Sequence, residues 1–402
     1  MTHRSLERPL LVAITVAILH GFNDAYSSFL HPLLPRIMAK LDLSITLAAT
    51  LTMTLALAAS VAQPALGHLA DRGGQRWLVL LGPLAMALFL SSIGLAPNLG
   101  VLLLMLVLGG LGSAAFHPPG ATMAVRAGDP GRGGTRHAIF SFGGATGYAL
   151  GPLIAVGVVQ WRGLEGLWVA MLPMLIVVLV VHRILPAHAP RPHSETSAAP
   201  ARIAQLLGGP LGVIFAISAL CAFLQRLFLT LDPIIVAESG GSEARGALLL
   251  STYLGGQAVG TLSGGLLADR LDRRRLLAAL TLLALPTHVL AFLYPVGAAG
   301  LALAAVAGAV NQATLPPLIV MAVEIAPRSA GLASGIVMGL AWAAGSIGVL
   351  GAGVLGDAIG PQVAAAAVVP VILVASGLAF HPRLRAYGRP VGSHPRIEAP
   401  IV

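Results

Sequence analysis

Residues 18–32 read ILHGFNDAYSSFLHP, an apolar run that carries His20, Asn23 and Asp24 near its middle and His31 at its end. An imidazole and a carboxylate four residues apart share one face of a helix, and Ser28 extends that polar stripe. Histidine changes charge near neutral pH, so the chemistry offered by His20 and Asp24 is reversible proton binding. His117 stands before Pro118 and Pro119. Two prolines remove backbone donors and can kink a helix, which opens a place for ligand or water beside a titratable ring; the same ring could equally satisfy a freed carbonyl. Arg226, in a second apolar run beside Gln225, is a permanent cation, suited to act as a counter-charge or to hold an anion. Asn311 and Gln312 add neutral polar groups ahead of Pro316 and Pro317. His31 and Asp232 each precede a proline; they are expected at helix ends, either paired as an outer gate or simply wetted. Glu324 and Arg328 read as a surface pair, and His288 as a peripheral residue.

Composition dictates what positions these groups. The 402 residues are 56% hydrophobic and 10% charged, where a soluble domain carries roughly 25% charged residues. Apolar stretches of about 20 residues, enough helix to cross about 30 Å of hydrocarbon, recur at 10–31, 44–66, 77–96, 99–124, 136–160, 165–185, 209–235, 245–267, 275–295, 299–323, 330–355 and 361–381. The chain therefore reads as an all-α membrane protein of twelve transmembrane helices. Its net charge of +9 would suit a nucleic-acid ligand, but most of the basic residues fall in alternate loops. With both termini cytoplasmic, that distribution is the positive-inside pattern, and the charge is explained by topology. Cys221 is the only cysteine, which excludes an intrachain disulfide. The first stretch lacks an A-x-A-like end and reads as a span rather than a cleaved signal. Zinc-ligand spacing, a phosphate loop and a nucleotide-binding domain are all missing from the pattern, so no enzyme, metal or cofactor is expected.

The Pro-, Ala- and His-rich segment 186–208 separates six stretches from six and reads as a linker between halves at 1–185 and 209–381, with a tail at 382–402. The halves repeat each other. GHLADR at 67–72 returns as GLLADR at 265–270, HPPG at 117–120 aligns with LPPL at 315–318, and FLHPLLP at 29–35 matches TLDPIIV at 230–236. Transporters built from such parallel repeats place their site between the halves.

GHLADRGGQR resembles the loop signature of the major facilitator superfamily through Gly67, Leu69, Ala70, Asp71, Arg72, Gly74 and Arg76, with Gln75 in place of the first trailing basic residue. The second copy keeps Asp269 and Arg270. This resemblance implies a cytoplasmic gate in which Asp71 sits near a helix N-terminus, where the dipole favours an anion, and neighbouring arginines latch helix ends. HGFND, GLGSAAFHPPGATMA, SFGGATGYALGPL and AVEIAPRSAGLASGIVMGLAWAAGSIG are similar to the fosmidomycin-resistance family within that superfamily. That implies efflux across the bacterial inner membrane, driven by inward proton flow. Two departures are Pro119, where some relatives carry an acidic residue, and apolar residues around Leu106, where many drug–proton antiporters carry arginine. Gly147-x-x-x-Gly151-Pro152 partly resembles an antiporter signature in span five; such glycines permit close helix contact, and Gly331, Gly335 and Gly339 are the expected partner surface.

The superfamily lines its cavity with spans one and seven. In the repeat alignment Asp24 falls on Gln225, beside Arg226, so Asp24 and Arg226 are expected to meet across the cavity, as a switching pair or a static one. The expected protein is a monomeric proton-coupled exporter of a small drug or metabolite working by alternating access. His20, Asp24 and His117 would carry protons, and Asn23, Gln225, Arg226, Asn311 and Gln312 would line the substrate cavity. An importer or facilitator of an organic anion, or a non-transporting membrane sensor or assembly partner, are the alternatives.

Overall fold

A computed structural model describes residues 9–127, 133–185 and 200–388. Most of the linker, the tail beyond residue 388 and the side chains of Asp71 and Arg328 lie outside the described residues. Among the described residues every regular element is helical. Eleven helices are long and apolar enough to cross a membrane: α1 (Leu10–Leu41), α2 (Ile45–Leu69), α3 (Arg72–Leu95), α4 (Leu99–Arg126), α5 (Gly133–Arg162), α6 (Glu165–Ile184), α7 (Pro210–Glu238), and, after α8, α9 (Arg273–Leu293), α10 (Gly297–Ile325), α11 (Ala330–Ile359) and α12 (Pro361–Ala379). The twelfth, α8 (Glu243–Ala268), is equally long but diluted by Gly, Ser, Thr and Gln, because much of its surface faces other helices. Short loops return the chain at each end. The α2–α3 and α8–α9 loops bring Arg72, Arg76, Arg270 and Arg273 to one face of the bundle, called here the arginine-rich face.

The first helix runs about ten residues further than its apolar stretch suggests. It breaks at Ser27–Phe29 and resumes as Leu30–Leu41, burying Leu30, Leu33, Leu34 and Ile37. Arg36 and Lys40, whose charges would end a membrane stretch, are instead paired with Glu243 and Glu165. The two proline pairs behave differently. Helix α4 continues through Pro118 and Pro119 without interruption, and the Pro119 carbonyl accepts a hydrogen bond from Gln75 Nε2 at 3.0 Å. Helix α10 breaks into Gly297–Gln312 and Leu315–Ile325 just before Pro316.

Close helix contacts are built on glycine. A Cβ at Gly143, Gly147 or Gly151 of α5 would strike the backbone of Ala17, Gly21 or Ala25 in α1. The partner of this ridge is thus α1, not α11 as the glycine spacing of α11 suggests; Gly335 and Gly339 have open space around them. In the second half Gly256, Gly260 and Gly264 of α8 press on the backbone of Ala305, Ala309 and Ala313 in α10. Helices in lipid gain nothing from hiding apolar surface from one another, so close van der Waals packing carries their association.

A large side chain at this contact cannot be accommodated by moving a flexible neighbour, since the neighbour is backbone. Overpacking by a few methylenes alone costs about 1–3 kcal/mol. Gly147→Leu is expected to lose the monodisperse peak in detergent size-exclusion chromatography, while Gly157→Leu, with nothing within 4 Å, elutes as the unsubstituted protein does.

Candidate functional site

Asp24 lies at the centre of a polar cluster made by α1 and α4 and supported by α5. Its Oδ2 is 3.1 Å from His20 Nε2 and its Oδ1 3.4 Å from His117 Nε2. Asn23 Nδ2 donates to Asp24 Oδ1 at 2.9 Å and to Ser113 Oγ at 3.1 Å. The other nitrogen of each ring is also engaged. His20 Nδ1 donates to the Phe140 carbonyl at 2.8 Å, with its ring stacked on Phe140 at 4.0 Å, and His117 Nδ1 donates to the Ser113 carbonyl at 2.9 Å. A carbonyl oxygen only accepts, so Nδ1 carries a hydrogen in both rings. His117 thus meets both a carbonyl and the carboxylate. The side chains of His117 and Asp24 remain 29% and 18% exposed, so the cluster is not sealed.

Arg226 does not join this cluster. It donates to Tyr148 Oη at 3.3 Å, lies 5.8 Å from the Trp342 ring, and leaves Nε without a partner. The reason lies in the register: Asp24 aligns with Gln225, and the next residue points about 100° away around a helix of 3.6 residues per turn. Tyr148 stands within electrostatic range of both Asp24 and Arg226. Gln225 donates to Gln257 at 3.1 Å, and Asn311 donates to the Cys221 carbonyl at 3.1 Å. Gln225, Asn311 and Gln312 share a recess with Ser218, Thr314 and Trp342.

On the arginine-poor face the halves are tied by residues the sequence pattern did not single out. The Asp357 carboxylate of α11 accepts from Ile45 N at 2.7 Å, Thr46 N at 3.0 Å and Thr46 Oγ1 at 2.5 Å, capping α2 from the other half. Arg36 forms a two-pronged pair with Glu243 at 2.9 and 3.0 Å, and Thr230 donates to Thr52 at 3.0 Å. These partners are more than 170 residues apart, and no local spacing announces them. His31 and Asp232 are neither wetted nor paired with each other: both are buried, and the Asp232 oxygens and His31 Nδ1 meet no hydrogen-bond partner among the described residues.

On the arginine-rich face Glu324 pairs with the buried Arg273 at 2.8 Å; the side chain of Arg328, its expected partner, lies outside the described residues. Arg76 donates to the His182 carbonyl at 2.5 Å, and Gly67 packs against Pro118. Gly73, at φ 118°, makes the turn that the loop motif needs. Arg72, Asp269 and Arg270 are exposed; Asp71 lies outside the described side chains. His288 is not peripheral, being fully buried and bonded to the Ala284 carbonyl at 2.8 Å and Tyr253 Oη at 3.2 Å.

Twelve helices in two repeated halves, with polar groups buried where the halves meet, define a membrane carrier. The chain belongs to the Major Facilitator Superfamily, whose model matches residues 16–240 and 211–402. It is 28% identical over 90% of both chains to an uncharacterized transporter of this type, YfnC, from Bacillus subtilis. It is also 25% identical, over 85% of both chains, to the fosmidomycin resistance protein of Escherichia coli. Among solved structures it resembles a bacterial homologue of the human lysosomal transporter Spinster, inward-facing and occupied (TM-score 0.80, 17% identity, 92% of this chain and 96% of that one). It also resembles the nucleoside transporter NupG (TM-score 0.73, 14% identity, 92% and 99%).

Asp357 contributes hydrogen bonds to a charged group, each worth about 1.5–3 kcal/mol. Asp357→Ala is expected to raise labelling of Ala49→Cys, a buried position at the α2–α11 contact, by a membrane-impermeant maleimide about tenfold. Labelling that does not change would mean the cap does not hold this face shut.

Proposed function

We propose that this carrier is a proton-coupled exporter, an antiporter that moves a small drug or metabolite out of the cell against an inward flow of protons. It would work as a monomer in the bacterial inner membrane, with both termini, the linker 186–208, the tail 382–402 and the arginine-rich face in the cytoplasm, and with halves at 1–185 and 209–381. The observation that carries this reading is the Asp24 carboxylate bridged by His20 and His117 inside a membrane bundle. Ionisable groups at such depth are costly and mark ion pathways and proton relays.

The geometry suggests how the two gradients are linked. A proton on Asp24 removes the charge that holds His20 and His117, which loosens α1 against α4. Across the cavity Arg226 is held by one hydroxyl, that of Tyr148, and its free Nε suits an anionic or acceptor group on the substrate; Gln225, Asn311 and Gln312 supply further polar contacts, as does Asn23. Taking Arg226 from Tyr148 undoes a bond between α5 and α7, which belong to different halves. Proton and substrate thus each alter how the halves meet. Outside, Asp357, Glu243 and Arg36 close the cavity, with His31 and Asp232 buried beneath them. Inside, Gly67, Asp71, Arg72, Gly74 and Arg76 act with Asp269 and Arg270 as the gate, and Gly147, Gly151 and Pro152 provide packing without chemistry.

Fosmidomycin, named in the Escherichia coli relative, is the first substrate to try. Cells producing the protein are expected to accumulate less labelled fosmidomycin than empty cells, and a protonophore should abolish the difference. Asp24→Asn should match empty cells, and Arg226→Ala should lose most of the effect. Export that persists in Asp24→Asn despite equal membrane expression sinks the coupling role. Uptake indifferent to Asp24→Asn would point to an anion facilitator instead.

A further inference from the structure

The Asp24 cluster contains a contact that needs something positive inside it. Both Nδ1 atoms donate to carbonyls, so a neutral ring would present an Nε2 lone pair to the carboxylate. Those lone pairs would face carboxylate oxygens at 3.1 and 3.4 Å, and lone pairs at that distance repel. The contact is relieved either by a proton on each Nε2 or by one cation that all three side chains share.

We propose that His20, Asp24 and His117 form a binding site for a late first-row divalent metal ion, such as Zn²⁺, Co²⁺ or Ni²⁺. Two imidazoles and a carboxylate are the donor set such ions take, whereas Mg²⁺ and Ca²⁺ prefer oxygen ligands throughout. Metal-binding histidines almost always donate their second ring N–H to a carbonyl, a carboxylate or water, which fixes the tautomer and aims the ring. Here both rings already do so, through Phe140 and Ser113. The ligand atoms lie within 4.8 Å of one another. Bonds of 2.0–2.1 Å in a tetrahedron would set ligand atoms about 3.3 Å apart; His20 Nε2 already stands 3.1 Å from Oδ2, while His117 Nε2 lies 3.4 Å from the other oxygen, Oδ1. A tilt of His117, the more exposed ring at 29%, brings its Nε2 to an ion held by His20 and Oδ2. Three protein ligands leave a fourth tetrahedral position for water or for a donor group of the cargo. Sequence spacing hides the site because His117 comes from α4, far along the chain from α1.

Metal and proton would compete for the same lone pairs, but binding is measured without transport, so the two readings fail separately. The test uses the full-length protein, purified in detergent with any affinity tag removed, titrated with CoCl₂. The expected result is the visible absorption of tetrahedral Co²⁺ at one ion per chain, bleached by ZnCl₂. Asp24→Asn and His117→Gln, each verified by an unchanged elution profile and melting temperature, should weaken Co²⁺ binding at least tenfold. His68→Gln and His137→Gln, at exposed positions, should bind as the unsubstituted protein does. Lack of a zinc-reversible band in the folded unsubstituted protein overturns the proposal, and needs no variant to fold. A band that survives in both Asp24→Asn and His117→Gln overturns it as well.

Discussion

A carboxylate inside a membrane bundle has little water to stabilise it, and the packing of the first half is arranged around satisfying the one at Asp24. Two imidazoles and an amide reach it. Each imidazole is in turn held by a backbone carbonyl, one of them on α5. For Phe140 of α5 to reach His20 of α1, the two helices must approach closely. Gly144 leaves the space that the His20 ring fills, and Gly143, Gly147 and Gly151 let the backbones touch. In lipid an unsatisfied polar group costs several kcal/mol, so the glycines and the polar cluster form a single constraint.

The halves share a scaffold and divide the chemistry. Glycine ridges join α1 to α5 in the first half and α8 to α10 in the second. The first half holds the ionisable cluster, while the second holds Arg226 and the amides of Gln225, Gln257 and Asn311. Tyr148 and Arg226 form the bond that crosses between these two environments. A repeated fold with unlike contents gives the two halves similar scaffolds and distinct chemistry.

Much of this was legible in the sequence, for physical reasons that also mark where legibility ends. Hydrocarbon thickness imposes a length on every span, so twelve apolar stretches and their pairing into halves could be read directly. Helix α8 tests that rule, because its hydropathy is diluted where glycine and small polar residues pack against other helices. The His20–Asp24 contact follows from helical periodicity alone. The third member, His117, comes from another helix, and its place at the carboxylate depends on crossing geometry that one sequence does not encode. The same limit explains Arg226: the repeat set it beside the counterpart of Asp24, but one residue of register turned it towards Tyr148. Glu324 pairs with Arg273 of another helix, and Asp357 found a partner at the opposite end of the chain. Each of these pairings is long-range and made by a residue type that is ordinary in its local context.

The cap on α2 has a consequence for how fast the carrier can turn over. Ser44 satisfies one amide of the first turn, that of Leu47, while the amides of Ile45 and Thr46 are satisfied by Asp357 from the other half. This first turn is therefore complete only while the halves are together. When they part, the two amides and the carboxylate emerge at the membrane surface, where water replaces every bond that was lost. The latch can close tightly and still release on each cycle, because neither state strands a polar group.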